Sequence, residues 1–245
     1  MKLSIIIPCL NEEAYLAKLL KALKNQNWQE FEVLVVDSAS TDNTVKVAMS
    51  FTEQLRLKVV KSKRGVANAR NDGAAAAAGE WLLFLDADVM VSPDFLECSW
   101  QEITRRKLTM ASNRFIPGSL NLFDRLGSWL TYRYMRVAER SKQPMAGGYC
   151  IWITRALHNQ IGGFDPKLKL AEDHEYLQRA KAAGGMFRYL VSTPLIVSLR
   201  RFEEHGRLRM LLRYSKAELY RFSHKGRVEK EVVSYEFGEH GRKDK

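Results

Sequence analysis

The chain is 245 residues long, 46% hydrophobic and 27% charged, with 39 Lys/Arg against 28 Asp/Glu and a formal net charge of +11. That length suffices for a full α/β core, and the balance of apolar and charged residues excludes wholesale disorder. No stretch approaches about 18 consecutive apolar residues, which excludes transmembrane helices.

Met1 to Leu10 looks at first like the start of a signal peptide. Pro8 interrupts it, Asn11-Glu12-Glu13 follows and no small-residue cleavage site appears, so it reads as a strand. Leu3 to Pro8 is a continuous apolar, β-branched run, the pattern of a strand covered on both faces. Asn11 is a candidate cap for the next segment, whose Leu16, Leu19, Leu20 and Leu23 line one helical face. Phe31 to Val36 is a second buried strand, ending at Asp37. Thr41 or Asp42 caps a short helix, and Leu57 to Val60 is a third strand. Val66 to Ala78 reads as a helix stopped by a left-handed Gly79. Trp81 to Leu85 is a fourth strand, ending at Asp86, and Ser92-Pro93 opens another helix. Leu108 to Phe115 and Tyr149 to Thr154 predict strands, with an amphipathic helix over 120–137 between them. Ala171 to Ala183 is a helix opening on Glu172-Asp173. Phe187 to Val191 and Leu195 to Leu199 read as short strands, and Arg207 to His224 as a basic helix.

Four strand-helix units in the first hundred residues imply a mostly parallel sheet with right-handed crossovers. Ligands of such sheets bind beyond the carboxyl ends of the strands. Here those ends are Pro8 to Glu12, Asp37 to Asp42 and Asp86-Ala87-Asp88, all polar or acidic and expected to converge. Two carboxylates separated by one residue at a turn offer hard oxygen ligands to a divalent cation, Mg²⁺ or Mn²⁺, that also bridges substrate phosphates. The plainer alternative is a turn cluster, where Asp is common. Asp37 can accept hydrogen bonds from a base or ribose, or else cap the following helix. No Gly-x-Gly-x-x-Gly or Walker loop follows the first strand, which removes a Rossmann dehydrogenase and a phosphate-loop NTPase.

Cys9, Cys98 and Cys150 are odd in number and far apart, which argues against a disulfide framework or zinc site and for a reducing cytosol. Basic residues outnumber acids over 105–142 and 200–230. Both segments carry apolar and arginine-rich faces. They read as core-facing helices with solvated basic faces, or as a peripheral contact with an anionic membrane at the inner face. Nucleic acid is the rival partner for so basic a chain. No helix-turn-helix, zinc finger or aromatic RNA motif is present, so no nucleic-acid partner is expected.

Ile5-Ile6-Ile7-Pro8-Cys9-Leu10-Asn11-Glu12-Glu13, Val35-Val36-Asp37-Ser38-Ala39-Ser40-Thr41-Asp42 and Arg70-Asn71-Asp72-Gly73 stand in order along the chain. Gly79-Glu80-Trp81, Leu85-Asp86-Ala87-Asp88, Gly162-Gly163-Phe164-Asp165 and Glu172-Asp173 follow. Together they resemble the family-2 nucleotide-sugar glycosyltransferases over roughly residues 3 to 200. The resemblance implies a GT-A fold: a Rossmann-like, mostly parallel sheet flanked by helices. Residues 1–225 would form one domain, 1–100 the nucleotide-binding half and 101–225 the acceptor half, with 226–245 as a charged tail. It implies that Pro8, Leu10, Glu12, Asp37 and Ala87 line the nucleotide-sugar pocket. Arg70 would lie near the diphosphate, Asp86 would contact the sugar nucleotide or metal, and Asp88 would hold the metal.

Within Glu172-Asp173, the catalytic pair of the resemblance, the aspartate matches the base, and the helix dipole favours its anion. Arg200-Arg201 stands where many members place an acceptor or phosphate arginine, though without the Gln-x-x-Arg-Trp of processive polymerising members. The implied function is inverting transfer from a nucleotide-diphosphate sugar to an acceptor hydroxyl, on a sugar or a lipid-linked carrier, in cell-envelope glycan or glycolipid assembly. The alternative is transfer to a polyprenyl phosphate.

Overall fold

The computed structural model describes residues 2–141, 143–168, 171–200, 206, 207, 209 and 212. Eight strands form one sheet in the order β3-β2-β1-β4-β7-β6-β8-β5. Four of them, β1 (Leu3–Cys9), β2 (Phe31–Asp37), β3 (Leu57–Lys61) and β4 (Trp81–Leu85), lie side by side in parallel. β7 (Cys150–Thr154) runs antiparallel between β4 and β6 (Met110–Pro117). β8 (Phe187–Val197) pairs parallel with β6, and β5 (Val89–Met90) closes the edge antiparallel to β8. This is the mostly parallel GT-A arrangement expected from the motifs.

Every residue of β1 and β2 is buried because helices cover both faces. On one face Leu3, Ile5 and Ile7 join Leu16, Leu19, Leu20 and Leu23 of α1 (Glu13–Lys24), the apolar stripe read from the sequence. On the other, Ile6, Leu34 and Val36 pack on the alanines of α3 (Val66–Ala76). Further helices are α2 (Thr44–Met49), α4 (Phe95–Arg105), α5 (Leu122–Ala138), α6 (Arg155–Gln160) and α7 (Glu172–Ala182). No helix among the described residues is long and apolar enough to cross a membrane.

Several local expectations are corrected. Asn11 does not cap α1. It sits at φ 57°, and its side-chain oxygen accepts the Thr41 N–H instead. Thr41 does not cap α2, whose first N–H, on Thr44, goes to Asp42 Oδ1 at 2.9 Å. Gly79 is no left-handed stop: α3 ends at Ala76, and Ala77 is already extended at φ −73°, ψ 148°. Glycine is needed at 79 because a Cβ there would lie 2.7 Å from the backbone of Leu3 and Ser4.

The two short strands expected after 187 are one, β8. Its pairing with β6 shifts register between Asn113 and Phe115, and Pro194 sits in the irregularity. β5 and α6 were not foreseen. Arg201, the charged tail and nearly all of the basic helix expected over 207–224 lie outside the described residues. α5 forms where expected, but no residue of it is fully buried, and its leucine face does not meet the core.

Candidate functional site

The adjacent parallel strands β2, β1 and β4 end at one edge of the sheet and bring Pro8 to Glu12, Asp37 and Asp86 to Asp88 together there. The loops are stitched across each other. Asn11 N–H donates to Ser40 Oγ at 3.0 Å, Glu12 N–H to Thr44 Oγ1 at 2.8 Å and Asn43 N–H to Glu13 Oε2 at 2.8 Å. Asp37 is buried, and its Oδ1 accepts the Ser40 N–H at 3.2 Å. Pro8, Leu10 and Ala87 are buried among them. Three residues bearing a Cβ hold left-handed backbones here: Asn11 at φ 57°, Ala39 at φ 66° and Ala171 at φ 57°, just before α7. Each such residue costs on the order of 1–3 kcal/mol, and strain of this kind concentrates where a site needs a fixed loop shape.

Two buried arginines organise the acids. Arg70, on α3, donates from Nη1 to Glu172 Oε1 at 2.9 Å and from Nη2 to the Gly148 carbonyl at 3.0 Å. Its Nη2 also stands 3.4 Å from Asp86 Oδ1, and its Cζ lies 5.1 Å from the Phe164 ring centroid. Gly148 leaves room for this guanidinium, since a Cβ there would meet Nη2 at 2.4 Å. Arg200, just beyond β8, grips both Glu12 oxygens at 2.9 and 2.7 Å and stacks over Tyr15 at 4.5 Å. Its Nε lies 3.3 Å from Asp88 Oδ2. Each carboxylate of Asp86-Ala87-Asp88 therefore faces its own arginine.

A profile described as Glycosyl transferase family 2 matches residues 4–162, well over half of the chain. The chain belongs to glycosyl transferase family 2. Among curated proteins, it is 27% identical over 217 residues to the poly(ribitol-phosphate) beta-N-acetylglucosaminyltransferase TarS of Staphylococcus aureus, covering 84% of this chain and 37% of that one. It is 39% identical over 100 residues to the validoxylamine A glucosyltransferase of Streptomyces hygroscopicus subsp. limoneus, covering 39% of this chain and 22% of that one. The chain thus spans well under half the length of these relatives.

Among solved structures, S. aureus TarS 1-349 in complex with UDP superposes with a TM-score of 0.68 at 25% identity, over 81% of this chain and 61% of that one. A Pyrobaculum calidifontis mannosyltransferase in complex with GDP-Man and Mn²⁺ gives 0.67 at 24% identity, over 80% and 56%, a likeness of fold.

In this family-2 chain the acid pair at the start of α7 is divided. Glu172 is turned inward onto Arg70. Burial, reinforced by the charge of Asp173, pushes its carboxyl above the usual range against the pull of Arg70. Asp173 is only partly buried, and its Oδ1 accepts the His174 N–H at 2.8 Å. Asn71, next to Arg70, holds the Gly162-Gly163-Phe164 turn by giving and taking backbone hydrogen bonds with Phe164, each at 2.8 Å. Phe164 then stacks on Tyr176 of α7 at 3.8 Å, which seats the helix carrying Asp173.

The fold gathers Pro8, Leu10, Glu12, Asp37, Ala87 and Asp88 around the strand ends with Arg200. Asp86 and Arg70 link them to Glu172, with Asp173 alongside; Arg201 lies outside the described residues. Sequence reading missed the pairing of Arg200 with Glu12 and the role of Gly148. It also missed Tyr149, whose buried hydroxyl has no hydrogen-bond partner among the described residues. Burial first, and Asp173 among nearby groups, push that phenol far above its usual range. The one sequence signal for these was Gly147-Gly148 beside a tyrosine, which reads only as a turn.

The donor set fits a divalent cation that arrives with a substrate. Asp86 and Asp88 supply hard carboxylate oxygens. Among the described residues no group of three or more His, Cys, Asp or Glu side chains is arranged to hold an ion alone. Two carboxylates leave most of an octahedral shell to phosphate oxygens and water, the usual condition of Mg²⁺ at a diphosphate.

Proposed function

We propose that the chain is an inverting, metal-dependent glycosyltransferase that moves a sugar from a nucleoside-diphosphate donor to an acceptor hydroxyl. The observation that carries this reading is the Arg70 junction. One guanidinium joins Asp86 at the end of β4 to Glu172 at the head of α7, so a single side chain ties the acidic strand end to the helix bearing Asp173.

Pro8, Leu10, Asp37 and Ala87 line the nucleotide side, Asp37 accepting hydrogen bonds from base or ribose. Asp86 and Asp88 would hold Mg²⁺ or Mn²⁺, which when bound would supply positive charge toward the leaving diphosphate. Arg70 keeps Asp86 and Glu172 in register, and Glu12 holds Arg200 at the mouth of the site. Asp173 accepts the acceptor hydroxyl proton as its oxygen attacks the anomeric carbon and the carbon–oxygen bond to the diphosphate breaks. A single displacement from the opposite face inverts the anomeric centre. The basic composition and the likeness to TarS support an acceptor in envelope glycan or glycolipid assembly, on the cytoplasmic side of the membrane.

The test is a panel of UDP-, GDP- and dTDP-sugars with Mn²⁺, read by thermal shift and nucleoside-diphosphate release. One nucleotide class should stabilise the protein and turn over slowly by hydrolysis. EDTA and Asp88→Ala should each remove that turnover. Full turnover in EDTA with Asp88→Ala unaffected would discard the metal-dependent mechanism.

A further inference from the structure

α5 turns its apolar side away from the protein. Tyr132 and Met135 pack inward on the second core cluster, and the Tyr132 ring meets Tyr189 edge-on at 5.5 Å. The opposite side carries Leu122, Phe123, Leu126, Trp129, Leu130 and Val137, with exposures from 52% to 81%. Leu120, in the turn just before, is 93% exposed. Core packing therefore does not explain why these positions are apolar, and solvent alone would not favour so large a contiguous patch.

The exposed charge on and around the helix is of one sign. Arg125 and Arg133 are exposed, and Arg133 lies 5.8 Å from the Trp129 ring centroid. Arg114 and Arg140 are exposed nearby in sequence. The acid within α5, Asp124, is paired through both oxygens with Arg207 at 2.8 Å. A second copy of this chain would bring the same arginines face to face, as an isologous contact requires. The chain beyond residue 207 carries ten Lys/Arg against six Asp/Glu, so it too is net positive and would add to the charge of this face. An anionic lipid surface complements both the arginines and the leucine, phenylalanine and tryptophan between them.

We propose that α5, with Leu120 ahead of it, docks the enzyme on an anionic bilayer. The helix lies in the plane of the headgroups with Leu122, Leu126, Trp129 and Leu130 inserted and its arginines against lipid phosphate. This surface backs onto Tyr189, one of the buried phenols that feel the charge of Asp173. The docked face is thus beside the acceptor half, and the proposal holds whichever donor the site takes.

The experiment is co-sedimentation of the full chain with phosphatidylcholine vesicles, with and without phosphatidylglycerol, at low and high salt. The protein should pellet with the anionic vesicles and far less with the neutral ones. Leu126→Gln with Leu130→Gln, at positions 52% and 54% exposed, should lower the partition coefficient by about tenfold or more, since two insertions are lost. Arg125→Gln with Arg133→Gln should weaken binding and flatten its salt dependence. Donor-induced thermal stabilisation should persist in both variants, which separates this result from any failure at the catalytic site. Absence of anionic-vesicle binding, or unchanged binding by the leucine variant, would overturn the proposal. So would a dimer in sedimentation equilibrium that the leucine variant dissolves.

Discussion

Adjacent carboxylates can hold different jobs when their surroundings differ, and Glu172 and Asp173 show how. Glu172 is nearly enclosed and committed to Arg70, so its role is structural, and its loss would cost a buried guanidinium one of its partners. Asp173 keeps one oxygen on its own helix and stays partly open. A general base typically contributes about 10²–10⁴-fold. Asp173→Asn should therefore leave donor affinity unchanged by calorimetry while transfer falls at least about a hundredfold, because the amide cannot take the proton. A near-normal transfer rate would remove Asp173 as the base. The choice of arginine over lysine at 70 and 200 has the same local logic. Each guanidinium bonds in more than one direction and lies over an aromatic ring, which an ammonium on a flexible stem does less well.

Arg70 reaches the strand ends only because α3 sits very close to the sheet. Gly73 makes that approach possible: a Cβ there would stand 2.4 Å from Ile6 Cγ2 and 2.8 Å from Val36 Cγ2. Two effects oppose each other in Gly73→Ala. Helix propensity favours alanine by about 1 kcal/mol, while overpacking a full core costs about 1–3 kcal/mol. The clash dominates because both partners are β-branched side chains on fully buried strands and have nowhere to move. Gly73→Ala should lower the urea midpoint by the equivalent of about 1–3 kcal/mol at unchanged m, and weaken donor binding as Arg70 is displaced. A raised midpoint would show that α3 can shift at little cost.

The second core cluster unites α3, β4, α6 and α7, and a histidine is enclosed where they meet. His158 Nδ1 is 2.7 Å from the Tyr176 hydroxyl, and the imidazole abuts Phe84 and Phe164. Burial first, then the charges of Arg155 and Arg179, lower its pKa from the usual 6.5 to about 4. The unfolded chain thus binds a proton between these values that the folded chain refuses. Stability is fully present above pH 6.5 and falls as pH drops toward 4, by an amount on the order of 3 kcal/mol from this residue. Urea denaturation between pH 7 and pH 4.5 should show the decline, and His158→Gln should start lower but slope less. Equal slopes would place the acid sensitivity in the carboxylates instead.

Continuous apolar runs at Leu3 to Pro8, Phe31 to Val36 and Trp81 to Leu85 determined by themselves that three strands are buried on both faces. A strand of that kind has few other places to go than the centre of a helix-covered sheet. The acids that end those runs were equally readable, so the convergence of Asp37 and Asp86-Ala87-Asp88 followed from direction alone. Elements that owe their existence to a neighbour were not readable. β5 is two residues long and forms by pairing with β8, and one register shift lets β8 pass through Pro194 as a single strand. The ion pairs were hidden for the same reason, since Arg70 and Glu172 are 102 residues apart and Arg200 and Glu12 are 188. On α5 the pattern of leucines announced an apolar face, but periodicity reports only that one side differs from the other. Which side meets the core was decided by the few residues, Tyr132 and Met135, that the rest of the fold had room to receive.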